Sequence, residues 1–365
     1  MVTLRGLRVE DVDAIVANTN DPEIARWTSL PQPYEPAHAK AWLSRVEREH
    51  AEGTCLQFAL ESDGRLVGDV NLQIRGAGLA EVGFQLAAGA RGRGLMSRAL
   101  RLAIPWGFEQ AQLHVLHWRA EVGNWPSRRV AWAVGFQVVG TVPGLLVDPT
   151  PAPRRRTDGW IGALRSTDPL RPAHSWLEPD RILGRGVNLR EHREQDIPRM
   201  VEGNRDPQSQ RWLSHLPADY TRNSAREHLL RIRTDHADGR TLFWAVADPG
   251  TDLMLGETLI FIRDPENGQG EVGYWVHPGA RGRGVATEAV RLAVRHALLP
   301  LVEGGLGLER VALRAAAGNL GSQRVAEKNG FTRTGLDRRA EWLRDGSVVD
   351  NVRFDLLADE LAAVR

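Results

Sequence analysis

Two stretches of the chain place a carboxylate, a small-residue strand and a glycine–arginine turn in the same order. The first runs Glu81-Val-Gly-Phe-Gln-Leu86 and then Arg91-Gly92-Arg93-Gly94. The second runs Glu271-Val-Gly-Tyr-Trp-Val276 and then Arg281-Gly282-Arg283-Gly284. Alternation puts Val82, Phe84 and Leu86 on one strand face, with Glu81, Gly83 and Gln85 on the other. Glycine beside the carboxylate leaves room there. The glycine turn opens a helix, where free amides, the helix dipole and arginine side chains suit phosphoryl oxygens. The chemistry within reach is proton abstraction next to a pyrophosphate-bearing ligand. Downstream, Asn124-x-x-Ser127-x-Arg129-Val130-Ala131 is repeated as Asn319-x-x-Ser322-x-Arg324-Val325-Ala326.

Other phosphate motifs fit less well. The loop lacks the Lys-Ser/Thr of a P-loop, and the third small position of a dinucleotide fingerprint is Ser97 or Thr287. No His-Glu-x-x-His or His/Cys/Asp spacing suggests a metal.

These segments need elements to hold them, and those elements also recur. Asp11 and Asp196 precede apolar helical patterns, and Asp21-Pro22 and Trp27 return as Asp206-Pro207 and Trp212. The pattern predicts helices at 38–52 and 223–234. Strands are expected at Cys55–Leu60 and Thr241–Val246, with a hairpin turn at Ser62-Asp-Gly-Arg65. After each glycine turn a helix should bury one face, through Leu95, Ala99, Leu102 and Trp106, and through Val285, Ala289, Leu292 and His296. A strand at 113–118 or 310–315 follows, then a helix stopped by Gly135 or Gly330, then a closing strand after Asp158 or Asp350.

The fold class expected is α/β, with a mixed sheet used twice: one domain at 1–165, a Pro- and Arg-rich linker at 166–186, and a second domain at 187–365. The stretch 149–156 reads as a loop within the first copy. Half of 365 residues suffices for one core.

With 42% hydrophobic and 25% charged residues the composition is globular. A net charge of +1 gives no argument for a nucleic-acid partner. No stretch reads as membrane-spanning or as a secretory leader, so a cytoplasmic protein, monomer or homodimer, is expected. The single cysteine, Cys55, has no counterpart in copy two and reads as a core residue.

The ordered set, present twice, resembles the GCN5-related N-acetyltransferase (GNAT) superfamily, and within it the branch that acetylates ribosomal-protein N-termini. That resemblance covers about 160 residues of each copy. It implies a centrally splayed sheet and acetyl-CoA as cofactor. The pyrophosphate would lie on Arg91, Gly92, Arg93, Gly94, Leu95 and Met96, and on Arg281, Gly282, Arg283, Gly284, Val285 and Ala286, with the Ser97 and Thr287 hydroxyls beside it. Phe84, Gln85 and Leu86, and Tyr274, Trp275 and Val276, would meet the pantetheine arm, with Asn124 and Asn319 near the thioester.

Glu81 and Glu271 take the general-base position, and Ser127 and Ser322 the position of an acid to the leaving thiolate. The residues alone leave other readings open: a strand-edge ion pair for the glutamates, and helix capping for the serines and asparagines. The superfamily's usual tyrosine acid is missing. The acceptor would be an amine on a small molecule, peptide or protein N-terminus, entering near residues 27–34 or 212–220. A non-catalytic acyl-CoA-binding or interaction protein built on the same duplicated fold is the runner-up. The smaller pair Ala286-Thr287 favours the second copy as the catalytic one, although the first, with Met96, keeps every polar position.

Overall fold

Turn chemistry and strand alternation build two sheets, one in each of two units, Met1–Ala173 and His174–Arg365. The computed structural model describes residues 1–147 and 155–363, so most of the loop expected at 149–156 lies outside the described residues.

The first unit comprises β1 (Val2–Arg5), α1 (Val12–Thr19), α2 (Pro22–Trp27), α3 (Pro36–Ala51), β2 (Cys55–Ser62), β3 (Arg65–Gly76), β4 (Leu79–Leu86), α4 (Leu95–Gln110), β5 (Val115–Glu121), α5 (Trp125–Ala133), β6 (Gln137–Val147) and β7 (Arg156–Arg165). Its strands lie in the order β1-β2-β3-β4-β5-β7-β6. At the β2–β3 turn Asp63 and Gly64 both have positive φ, the twist that a two-residue hairpin requires.

The second unit comprises β8 (Ile182–Leu183), β9 (Asn188–Arg190), α6 (Ile197–Arg205), α7 (Pro207–Trp212), α8 (Arg222–Ala237), β10 (Thr241–Ala247), β11 (Met254–Asp264), β12 (Gln269–Val276), α9 (Val285–Leu298), β13 (Arg310–Ala316), α10 (Leu320–Lys328), β14 (Thr332–Trp342) and β15 (Val348–Leu357). The sheet order is β14-β15-β13-β12-β11-β10-β9-β8.

The stretch expected as a linker is divided between the two units. Leu170 packs on the first core, while Leu177 is buried in the second and Ile182–Leu183 pairs with β9. Apolar residues placed inside what reads as a polar connection account for the difference.

Each sheet has one parallel pairing, and it stops early. β4 and β5 pair from Leu79 with Val115 to Val82 with Trp118; β12 and β13 pair from Gln269 with Arg310 to Glu271 with Ala312. Beyond those points the strands part, so Phe84–Leu86 and Tyr274–Val276 present an unpaired edge toward β5 and β13. The sheets are mixed and centrally splayed, as expected.

A glycine lets each strand bend away. A Cβ on Gly68 would collide with the Gln85 carbonyl oxygen, and one on Gly256 with the Trp275 carbonyl oxygen. Both obstacles are backbone, which cannot rotate aside.

Below the splay, α4 buries Leu95, Met96, Ala99, Leu100, Ala103, Ile104 and Gly107. This corrects the expected face: Leu102 and Trp106 are exposed at 51% and 42%, with Trp106 edge-on to Phe58. The stripe is centred one residue further round the helix, where Ala and Gly permit close approach to the sheet. In α9 the expected Val285, Ala289 and Leu292 are buried, and His296 stacks edge-on to the buried Trp244. Cys55 is buried and free, and burial pushes its thiol up to about 11.

Gly256→Ala is expected to destabilise the second unit by about 1–3 kcal/mol, the usual cost of overfilling a packed site. Chemical denaturation of the full chain checks this. An unchanged midpoint would show that the bend does not depend on the missing side chain.

Candidate functional site

In the second unit the splay opens into a cleft of about 500 Å³. Its walls are β12 from Glu271 to Val276, the turn residues Arg281, Gly282 and Gly284, the first helical residues Val285, Ala286 and Thr287, and Asn319 and Ser322 of the following segment. Of the second set of expected residues, Arg283 alone does not line it. Trp212 and Leu213 close one side.

The turn geometry explains its glycines. Gly92, Gly94, Gly282 and Gly284 all have φ between 67° and 79°, a conformation that costs other residues energy. No side chain caps α4 or α9, which leaves the first-turn amides of Leu95, Met96 and Ser97, and of Val285, Ala286 and Thr287, without intrahelical partners. Successive N–H groups around a left-handed glycine make an anion-binding hollow.

The first arginine of each turn has another job. Arg91 Nη2 donates to Asp21 Oδ1 (2.7 Å) and its Nε to the Leu86 carbonyl (3.1 Å). Arg281 repeats this with Asp206 Oδ2 (2.6 Å) and the Val276 carbonyl (3.2 Å), adding Ser209 Oγ at 2.9 Å. Asp21 and Asp206 also cap α2 and α7. These guanidiniums therefore brace the loop against the splayed strand. Arg93 and Arg283 are exposed. Arg93 lies 3.6 Å from Asp63.

The strand glutamates are likewise committed. Glu81 accepts from Arg119 (2.6 and 2.7 Å) and Arg75 (3.1 Å), and Glu271 from Arg314 (3.0 and 3.1 Å) and Arg263 (3.1 Å). These contacts are the strand-edge ion pairs that the residues alone left open as a reading. Asn124 and Asn319 cap α5 and α10, their Oδ1 atoms accepting from the Ser127 and Ser322 amides at 3.2 Å. The serine hydroxyls point elsewhere: Ser127 Oγ accepts from Trp118 Nε1 at 3.1 Å, and Ser322 Oγ lies 2.8 Å from the Tyr274 hydroxyl.

One cleft residue was not anticipated. Glu341, half-buried on β14, lines the cleft, and no hydrogen bond or ion pair engages its carboxylate among the described residues. A bulge aims it. Asp350 accepts from the Arg339 amide at 2.7 Å, Arg339 has φ 51°, and the β14–β15 register shifts between Asp337 and Glu341. Asp158 holds the same bulge in the first unit through the Gly144 amide, at 2.9 Å. The residue that follows it there, opposite Thr157 as Glu341 is opposite Val349, is Leu146. A feature present in one copy is invisible to a comparison that looks for what both share.

The first unit differs in packing too. Trp118 and Trp160 are buried to 1% and 2% exposure, Trp125 lies 4.7 Å from Trp160, and the Arg128 guanidinium sits 4.5 Å over the Trp160 ring. The corresponding second-unit residues, by sheet pairing and repeat order, are Leu313, Val352, Leu320 and Gln323. Bulky rings therefore fill the first splay where smaller side chains surround the second. Trp275 packs over Gly203 and lines the cleft.

An uncapped glycine turn below a splayed strand, built twice, defines a class. Residues 1–137 and 187–332 match the family model for the acetyltransferase (GNAT) domain, and the chain belongs to that family of N-acyltransferases. Among its relatives, the uncharacterized N-acetyltransferase p20 of Bacillus licheniformis is 26% identical over 38% of this chain and 80% of its own length. The putative ribosomal N-acetyltransferase YdaF of Bacillus subtilis is 35% identical over 28% of this chain and 51% of its own. The ribosomal-protein-serine acetyltransferase of Escherichia coli is 30% identical over 26% and 50%. Among solved structures, Mycobacterium smegmatis RimJ in complex with CoA-disulfide aligns at 22% identity and a TM-score of 0.45, over 51% of this chain and 92% of that one. Among the described residues no helix is long and apolar enough to cross a membrane.

The two braces carry a pH signature. The Arg91 hydrogen bond holds the Asp21 carboxyl below its usual range; burial alone would raise Asp206, but Arg281 and the Ser209 amide pull it below. A group depressed in the fold, and titrating near about 3.9 when unfolded, stabilises fully above that pH and loses its contribution as pH falls through the folded value. Asp206→Asn should lower the melting temperature at neutral pH and shrink the further drop between about pH 5 and pH 3. An acid sensitivity equal to that of the natural chain would show that the brace is not formed.

Proposed function

We propose that the second unit transfers the acetyl group of acetyl-CoA to the primary amine of a small molecule, peptide or protein N-terminus. The observation that carries this reading is the convergence, in one cleft, of the turn amides, the unpaired edge of β12, Ser322 and Glu341. The donor set suits the cofactor. Left-handed glycines and an uncapped helix accept a pyrophosphate, and an open strand edge accepts the amide groups of a pantetheine arm.

Acetyl-CoA supplies a thioester carbonyl already activated toward an amine. The chain's residues handle protons and position. An ammonium cannot attack until it loses a proton, and the Glu341 carboxylate, unpaired and half-buried, both attracts the cation and takes that proton. As nitrogen bonds to the carbonyl carbon and the carbon–sulfur bond breaks, nitrogen sheds its second proton to solvent, and the Ser322 hydroxyl gives its proton to sulfur and regains one from solvent. The net reaction releases one proton from the ammonium. Glu271 holds Arg314 in the cleft wall, and Trp212, Leu213 and Trp275 offer apolar cover to the acceptor.

For the first unit the tryptophan packing and the Glu-to-Leu difference favour the other reading, a domain that keeps the fold without the reaction. Calorimetric titration of the full chain should then give a single acetyl-CoA equivalent. Glu341→Gln should lower kcat for thiol release by about a hundredfold or more, the usual contribution of a general base, while leaving acetyl-CoA affinity intact. Full activity in Glu341→Gln together with loss in Glu271→Gln would return the base role to the strand glutamate.

A further inference from the structure

The two serines at the start of α5 and α10 meet different partners, one a donor only and the other a hydroxyl that can donate or accept. Trp118 Nε1 is a donor only, so the Ser127 oxygen must accept from it (3.1 Å). In the second unit the corresponding strand residue is Leu313, and the neighbour of Ser322 comes instead from β12: the Tyr274 hydroxyl, at 2.8 Å. Each hydroxyl has one proton, so one of the two must donate.

Ser322 is the only side chain hydrogen-bonded to the Tyr274 phenol among the described residues. If Ser322 donated, the phenol proton would be left without a protein acceptor at the partly buried edge of the cleft. If Tyr274 donates, its proton is satisfied and the Ser322 proton is free to face the cleft that both residues line. Burial pushes the phenol up to about 12, with the Ser322 bond opposing that shift, so the donor keeps its proton at working pH.

We infer that Tyr274 is a positioning residue that occupies the Ser322 oxygen as a donor and so turns the serine proton toward the sulfur position of the bound thioester. This rests on the acetyl-transfer reading above. It also answers the missing tyrosine acid on the helix: a tyrosine hydroxyl is present, but it comes from the strand and acts through serine. The first unit reaches the same arrangement with an indole, and there the residue matching Tyr274 is Phe84. Phenylalanine at this position is therefore compatible with the fold.

Affinity for the thiol product tests the inference without turnover. A serine proton aimed at sulfur stabilises a thiolate, so the full chain should bind CoA increasingly better than S-methyl-CoA as pH rises through about 8.5, the ordinary thiol value. The gain should be roughly tenfold, as for a hydrogen bond to a charged group. Calorimetry on the natural chain, Ser322→Ala, Tyr274→Phe and the double variant between pH 7 and pH 9.5 reads it, at about half-unit steps around that value.

The gain is expected to vanish in Ser322→Ala, to fall several-fold in Tyr274→Phe, and to be no smaller in the double variant than in Ser322→Ala. For acetyl-CoA, Tyr274→Phe should lower kcat with KM nearly unchanged. A full pH-dependent gain in Tyr274→Phe, or a gain that survives Ser322→Ala, would overturn the inference while leaving CoA binding in place. If the natural chain bound neither CoA nor S-methyl-CoA, the acetyl-CoA reading itself would fall, and this inference with it.

Discussion

The cleft depends on one contact made twice: an arginine at the glycine turn reaching back to an aspartate that caps a short helix. Arg281 joins three things that would otherwise be independent, namely the Asp206 cap of α7, the Val276 carbonyl at the end of the splayed strand, and the loop whose amides face the cleft. Arg91 does the same with Asp21 and Leu86. A strand that leaves its parallel neighbour gives up hydrogen bonds, and its end must be held by something else. A charge-assisted bond to the last carbonyl supplies that hold without covering the free edge. Even so, the glycines at 68 and 256 are needed, since a carbonyl oxygen takes the space that a Cβ would fill.

Much of this was readable in the linear chain, because duplication marks what the fold needs. The Asp-Pro pairs, the Arg-Gly-Arg-Gly turns, the Asn-x-x-Ser caps and the late aspartates all recur, and each has a matching structural duty. Arg5 with Asp11 and Arg190 with Asp196 form the same ion pair at the first helix of each unit, which accounts for the repeated acidic residue there. Recurrence could not separate duty from chemistry. Arg281 and Glu271 read as ligand and base, while Asp206 and Arg314, 75 and 43 residues away, become their ion-pair partners only on folding. The Leu102 and Trp106 face failed for a different reason: helical period locates a stripe to within a residue or so, and small residues rather than large ones marked its centre.

The differences between copies carry the functional information. Leu146 against Glu341, Trp160 against Val352, and Phe84 against Tyr274 are single-residue contrasts on a shared backbone plan. Together they leave one splay lined with polar groups and the other filled with rings. Twelve tryptophans in the chain have a partial explanation here, since three of them pack the first unit's splay. A buried indole fills space and brings its own donor, so Trp118 serves the core and Ser127 at once.

The bulge held by Asp350 has a further consequence, one of parity. Side chains along a strand alternate between faces, so moving Glu341 by one position turns it away from the cleft, while moving it by two returns it to the same face one pleat further along. The Arg339 amide is pinned on the near side of Glu341, and the turn at residues 343–347 lies on the far side. Length changes in that turn leave the carboxylate where it is. Those between Arg339 and Glu341 switch it in or out. The reach of the cleft toward its acceptor can therefore drift freely in one part of the hairpin, and in the other it can change only in steps of two.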